Sequence, residues 1–538
     1  MIHRVYTRDW YFNAGIIGFL KVIVDDKKFE DIKGLKIGEN FIEFENSVLD
    51  DFEEKFVKQA FLKFFKKNIY LTRLEKNLKE IEKKKKIKLD SEIEKIEKSP
   101  YENFLKLLDV PIDDSQNKKE LVSKLEKSIE SLKKSTDLKI FNILDSKEDG
   151  KKSISNFVKI KLKGICSPNI EKYIEDISII DDKKKLKSHE ICLSCQTRKA
   201  TKNFNNAISN IIGFNKDNSN WSWGYKSDHI KICPVCCLIY NCAFISFVYI
   251  LRKVEQNWLN YFYLMNYNAN LKEFYQKVEE FELELNQNSD KAFYVIIREM
   301  TKLINLKHVD NIRNNINFIE IVDNPILKGQ STKGYNVYNY NLDKDIATFL
   351  YPFFFEKKFP IGFYKIKDTY YPVDEELLKL AIQRQIDYQL VYKFINMTIS
   401  KSIETKYNLQ KIVFFIFEYI QKMKGKKMDN KTASKKGFKS GIDLRNKLFS
   451  AKKENQIDGL IYGFLNDLKL GDREKFLDKY IRTIMSHRLP SLFAQSEMLD
   501  TDSFFQFGYS FVNGLLYIDR DKEENDKNND NNKLTQEE

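Results

Sequence analysis

The stretch that decides the reading is Ile191-Cys-Leu-Ser-Cys195, answered by Cys233-Pro-Val-Cys236 after 37 intervening residues. Four of the chain's seven cysteines thus stand as two C-x-x-C pairs. Two residues between thiolates let one tight turn aim both sulfurs at a single ion, and a second pair completes a tetrahedral shell. A closed four-cysteine shell leaves no open position for water, so zinc on Cys192, Cys195, Cys233 and Cys236 is expected to be structural. Two disulfides are the competing arrangement. The first residues, with Arg4, Arg8 and Asp9, contain no apolar secretory core, which favours reduced, metal-binding cysteines.

Outward from that stretch, 538 residues allow several domains and a large core. The chain holds 41 Phe and 28 Tyr yet carries a net charge of +13. Its acidic tail, 519–538, contributes −4 and leaves +17 on the remainder. Such an excess predicts a polyanionic partner, nucleic acid ahead of an anionic membrane. An AT-rich genome, which favours Lys, Asn and Ile codons, would supply part of the same excess. Pro234 to Leu251 is uncharged over 18 residues, long enough to raise a membrane span. It starts inside the second cysteine pair and carries Asn241, so a buried helix leaving the metal site, in a cytoplasmic protein, is the expectation.

The expected fold is α+β and multidomain, mostly helical, with an inserted four-cysteine zinc module and a C-terminal helical bundle. Residues 1–137 form an N-terminal domain in which Asp9 caps a helix and Gly15 and Gly18 permit close packing. Leu71, Leu74, Leu78 and Ile81 keep coiled-coil spacing along a charged, projecting arm. The alternation in Phe157-Val-Lys-Ile-Lys-Leu162 predicts short strands over 138–190. The zinc module follows at 191–243, then a central helical or mixed domain at 244–420. Within it, 243–345 are expected to be helical and then irregular through Gly329–Tyr340, and 346–373, with Tyr351-Pro-Phe-Phe-Phe355, non-helical. A basic loop and helical bundle occupy 421–518, and 519–538 is expected to be a disordered tail.

Two stretches are candidates for binding nucleic acid. The insert between the cysteine pairs interleaves Lys199, Lys202 and Lys226 with Trp221 and Trp223. Cations there would neutralise phosphates while rings stack on bases; the rings serve equally well as the small core of a zinc module. Residues 421–454 hold twelve Lys/Arg against three acids and read as a flexible loop leading into a helix. Its candidate phosphate contacts are Lys424, Lys426, Lys427, Lys431, Lys435, Lys436, Lys439 and Arg445; a solvated linker is the competing reading. No phosphate-loop, H-E-x-x-H or G-x-S-x-G motif occurs. Asp228-His229 is the nearest catalytic lookalike, the pair an HNH-like nuclease would use inside a two-pair zinc frame. It stands four residues before Cys233, with the next histidines only at His308 and His487. No catalytic residue is therefore assigned. A zinc-containing RNA-binding or scaffold protein is a further alternative.

Several stretches together resemble one family. Arg8-Asp-Trp-Tyr-Phe-Asn-Ala-Gly-Ile-Ile-Gly-Phe-Leu-Lys21 is similar to the N-terminal signature of the Cst-type large subunit of type I-B CRISPR effector complexes. The cysteine pairs match that family's two-pair motif. Ser486-His-Arg-Leu-Pro-Ser-Leu-Phe493 and Phe507-Gly-Tyr-Ser-Phe-Val-Asn-Gly-Leu515 resemble its C-terminal helical region. The resemblance implies a non-catalytic subunit of an RNA-guided surveillance complex. Its partners would be guide RNA near the 5′ handle, target double-stranded DNA, other subunits of the complex and a recruited helicase-nuclease. It would read the protospacer-adjacent motif while base pairing supplies sequence specificity.

Overall fold

A computed structural model describes residues 2–25, 27–84, 88–89, 92–93, 115, 117–166, 170–179, 190–203, 211, 231–254, 257–267, 270–288, 291–306, 316–323, 335–367, 369–400, 402–425, 431–493 and 500–517. They fall into two compact units. Unit 1 comprises Met1–Ala292 and Asn311–Asn341, and unit 2 comprises Phe293–Asp310 and Leu342–Glu538. The architecture is α+β and mostly helical, with a four-cysteine cluster in unit 1 and C-terminal helices in unit 2.

Unit 1 opens with β1 (Ile2–Tyr6) and α1 (Trp10–Val24). Asp9 caps α1, its carboxylate accepting from the Tyr11 and Phe12 amides at 3.0 Å each. Every residue of α1 after Trp10 is buried. β1 forms an antiparallel three-stranded sheet with β2 (Leu35–Ile37) and β3 (Phe41–Glu45), in the order β1-β3-β2. The helices α2 (Phe52–Phe64) and α3 (Lys67–Lys83) follow. The seam of α3 is not a solvated arm. Leu71, Leu74 and Ile81 are buried, and α4 (Lys118–Lys134), with Leu121, Leu125 and Leu132 inward, packs on α3.

The strands expected over 138–190 are helices: α5 (Asp137–Asp145), α6 (Glu148–Leu162) and α7 (Ile170–Ser178). Ile160 shows why. An alternating strand would bury it with Val158 and Leu162, yet it is 68% exposed while Phe157 and Val158, adjacent in sequence, are both buried. The 3.6-residue period prevails over a six-residue coincidence.

After the short strands β4 (Lys202–Asn203) and β5 (Lys231–Ile232) comes α8 (Pro234–Ser246). It is the expected buried helix, but it ends at Ser246. Asn241 is satisfied by donating to the Cys237 carbonyl at 2.7 Å. Residues 243–345 are then not uniformly helical. An antiparallel sheet in the order β6 (Val248–Val254), β7 (Asn257–Tyr267), β8 (Ile316–Asp323), β9 (Tyr335–Asn341) runs through them. Aromatic and β-branched residues fill it, and they pack on a pleated surface better than on a helix. Phe262 and Tyr249 of this sheet meet Phe64 of α2 at 6.4 and 5.1 Å, and Phe64 stacks on Phe244 of α8 at 5.8 Å. The core of unit 1 therefore joins sheet, α2 and α8.

Three helices of unit 1 are also joined by charged side chains. Glu282, on α9 (Leu271–Gln287), accepts from Lys21 of α1 and Lys63 of α2, each at 2.5 Å. Burial alone would raise the Glu282 carboxyl, but the two ammonium charges outweigh it and hold it at about 2. Burial lowers Lys63 to about 8 against the pull of Glu282.

Unit 2 includes most of α10 (Ala292–Leu306), whose Tyr294 packs edge-on against Phe354 at 5.1 Å. Phe354 belongs to α11 (Lys344–Phe355), so the first part of the segment expected to be non-helical is a helix with Pro352 in its last turn. Asp343 caps it by accepting from the Ile346 amide at 2.9 Å. The prolines beyond belong to a sheet of β10 (Gly362–Ile366), β11 (Thr369–Pro372) and β12 (Glu404–Tyr407), and to its flanks. α12 (Val373–Ile382) and α13 (Tyr388–Ile399) lie between β11 and β12, and α14 (Leu409–Met423) follows them.

The basic stretch is largely not a loop: α15 covers Lys431–Ser450. With α16 (Ile457–Leu470), α17 (Arg473–Ser486) and α18 (Thr501–Leu516) it makes the C-terminal bundle. Gly437 and Gly441 in this stretch are contact points. A Cβ on Gly437 would lie 2.2 Å from the Phe507 carbonyl oxygen, and one on Gly441 2.1 Å from that of Phe511.

These packings can be tested by substitution. A Cβ on Gly18 would come within 1.9 Å of the Cys242 carbonyl oxygen, whereas Gly459, in α16, has nothing within 4 Å. Gly18→Ala is expected to cost about 1–3 kcal/mol or more, and Gly459→Ala to gain up to about 1 kcal/mol, in urea unfolding. Glu282→Gln leaves two buried ammonium groups without their anion and is expected to cost about 3–5 kcal/mol near neutral pH. Because the folded value of Glu282 lies below its ordinary 4.5, its contribution is complete above about pH 4.5 and is lost as pH falls toward 2. The difference between wild type and Glu282→Gln should narrow over that window; a constant difference would refute this assignment.

Candidate metal centre and basic surfaces

Backbone bonds frame the first cysteine pair. The Cys192 amide donates to the Arg198 carbonyl at 2.8 Å, the Gln196 amide to the Cys192 carbonyl at 2.8 Å, and the Leu193 amide to the Lys231 carbonyl at 3.0 Å. Gln196 takes a left-handed φ of 54°, which closes the turn. The second pair opens α8. Cys233 is the cap residue, Pro234 fills the first turn where its missing N–H costs nothing, and the Cys236 amide donates to the Cys233 sulfur at 3.4 Å. The Cys195 amide points at the Cys192 sulfur in the same way, also at 3.4 Å.

All four sulfurs lie within 4.8 Å of one another, and Cys195 Sγ and Cys233 Sγ are 3.8 Å apart. Thiolates about 2.3 Å from a tetrahedral ion stand about 3.8 Å apart, so the donor set fits a metal ion. All seven cysteines are free, which removes the disulfide alternative. Cys192, Cys233 and Cys236 are buried and Cys195 half-buried. Hydrogen bonding to Cys192 lowers the Cys195 thiol and raises that of Cys233. The N-terminus of α8 favours negative charge on its first turn. Among the described residues no other group of three or more His, Cys, Asp or Glu side chains is placed to share an ion.

The sequence did not single out Arg8 for this site. Its guanidinium donates to Ser194 Oγ at 2.6 Å, reaches Cys236 Sγ at 3.8 Å and lies 4.4 Å from the Phe12 ring centre. A cation there offsets the two negative charges that four thiolates retain around a divalent ion. Arg198, beside the first pair, donates to the Arg4 carbonyl at 2.5 Å. The cluster is thus fastened to β1 and α1 and is not a separable module; only its spacing, not its attachment, is visible in the sequence.

The expected nucleic-acid contacts divide. Lys202 forms an ion pair with Asp176 and sits 5.5 Å from the Tyr173 ring centre, so it is an internal partner rather than a phosphate contact. Lys199 is half-buried beside the cluster, bridged to Ile191. Trp221, Trp223, Lys226, Asp228 and His229 lie outside the described residues, as do Lys426, Lys427 and the side chain of Lys431. Lys424 pairs with buried Asp502 at 2.6 Å. Arg445 donates to the Leu515 carbonyl at 2.6 Å, satisfying the C-terminus of α18, and stacks on Phe449. Lys436 is half-buried and engaged. Lys435 and Lys439, one turn apart on α15, are exposed. No described helix is long and apolar enough to cross a membrane.

Neither a protein-family model, nor a curated protein, nor a solved structure matches the chain.

The geometry predicts about one metal ion per chain in purified protein, measured by elemental analysis. Because metal binding at such a site is folding energy, Cys233→Ser should give insoluble or molten protein. Soluble, cooperatively folding protein without any metal would refute the site.

Proposed function

We propose that the protein is the non-catalytic large subunit of a type I-B CRISPR effector complex. In this reading it binds the guide RNA handle and target DNA, and reads the protospacer-adjacent motif in antiviral defence. Zinc is the proposed ion, since soft thiolates in a closed tetrahedral shell suit it and leave no position for catalysis.

The observation that carries the reading is how the four family-like stretches pair up. Arg8–Lys21 is α1 with its cap, and it packs on the helix that starts at the second cysteine pair, with Arg8 on Ser194 between the first pair. In unit 2, Phe493 meets Phe507 at 4.6 Å, joining the two C-terminal stretches. Within each unit, stretches distant in sequence that resemble the family are thus packing partners, which supports the reading. Exposed Lys435 and Lys439 and the net charge of +13 support a polyanionic partner.

Purification of the tagged protein from its native cells is the test. The expected result is co-purified RNA of uniform length together with companion subunits. DNA cleavage by the protein alone with a divalent metal would instead favour the nuclease based on Asp228 and His229. Absence of both RNA and cleavage would favour a scaffold.

A further inference from the structure

Unit 2 contains a cleft of about 420 Å³ between α14, α15 and α18, within the range of small-ligand sites. Its hydrogen-bonding walls are mostly spent on each other. Gln421 donates to Gln506 at 3.0 Å, and Ser434 and Ser510 share a bond at 2.8 Å. Asn513 is different. It is 5% exposed, it lines the cleft, and no hydrogen bond reaches its carboxamide among the described residues. Its carboxamide offers two donors and an acceptor to a ligand in the cleft.

The rest of the lining narrows the ligand. Phe414 is 43% exposed at the cleft and Phe438 stands on the α15 side. Lys411 and Lys435 are exposed at its edge, from opposite helices, with no carboxylate partner among the described residues. The single acid, Glu418, is held by Lys357 at 2.8 Å, and that same Lys357 lies 5.3 Å from the Phe414 ring centre. A planar ligand with hydrogen-bonding edges and flanking negative charge satisfies all of these features together. A fatty or cationic ligand satisfies neither Asn513 nor the lysines.

We propose that this cleft takes one unpaired nucleotide of a single strand. The base lies against Phe414, its edge meets Asn513, and the adjoining phosphates rest on Lys411 and Lys435. Asparagine matches the adenine N6 and N7 edge best, so adenine is the preferred base. The inference rests on the nucleic-acid reading above and locates one contact for it.

Short single-stranded DNA and RNA of the same sequence, with adenine or another base at one position and 2-aminopurine beside it, test it by fluorescence and by affinity at several salt concentrations. Wild type should bind at least one of them and change the probe's emission. The preferred oligonucleotide identifies the strand. Phe414→Ala should weaken binding roughly 5- to 150-fold without altering the salt slope, as loss of one stacked base does. Asn513→Leu should remove the adenine preference. Lys411→Ala, at an exposed position, should instead reduce the slope by about 0.7. Thermal melting checks that each variant folds. If wild type binds and all three variants match it, the cleft is overturned and the subunit reading stands. If wild type binds neither strand, the cleft is also overturned, and the co-purified RNA decides separately whether the subunit reading survives.

Discussion

The contact on which unit 1 depends is the approach of α1 to α8 to the distance of backbone against backbone. Gly15 and Gly18 make it possible, since a side-chain carbon at either would overlap the carbonyl of Ile239 or Cys242. Glycine inside a helix weakens it by about 1 kcal/mol against alanine. Here that loss is offset by burial of nearly the whole surface of both helices. The close approach also sets the metal centre, because α8 begins with the second cysteine pair and Arg8 precedes α1 by two residues. Moving either helix by the width of a methyl group would shift the Arg8 guanidinium away from Ser194 and Cys236.

Unit 2 repeats the device with a different sequence. Gly437 and Gly441 on α15 meet the carbonyls of Phe507 and Phe511 on α18, and Gly514 meets that of Phe438 in return. The closeness of this pair shapes the cleft beside it. Ser434 and Ser510 come near enough to bond only because the helix axes are drawn together, and Asn513 lines the cleft beside them. Basic charge and close packing therefore share one helix: its glycine face is buried, while Lys435 and Lys439 occupy the other.

Much of this could be read from the chain. The Asp9 cap, the packing role of Gly15 and Gly18, the cysteine spacing and a helical C-terminus each follow from local chemistry that no distant partner alters. Failures occurred where a short pattern fits two periods or where a residue has two uses. Phe157–Leu162 alternates like a strand, and only the exposure of Ile160 decides against it. Glycines among lysines suggest a flexible loop, yet Gly437 and Gly441 are there for α18, some 70 residues away. Lys202 and Arg445 look like phosphate contacts because Asp176 and the Leu515 carbonyl are remote in sequence. The role of Arg8 was hidden for the same reason: its partner is Ser194.

The pairing of α1 with α8 has a consequence for synthesis. More than 200 residues separate Gly18 from Cys242. At about 5–20 residues per second, α1 leaves the ribosome about 10–45 s before its partner exists. Through that interval a helix whose residues after Trp10 are all destined for burial has nothing to cover it, and for about the last 2–8 s the first cysteine pair waits for the second. Until α8 emerges the apolar surface of α1 faces solvent, and cysteines 192 and 195 stay open to other metals and oxidants until Cys236 emerges.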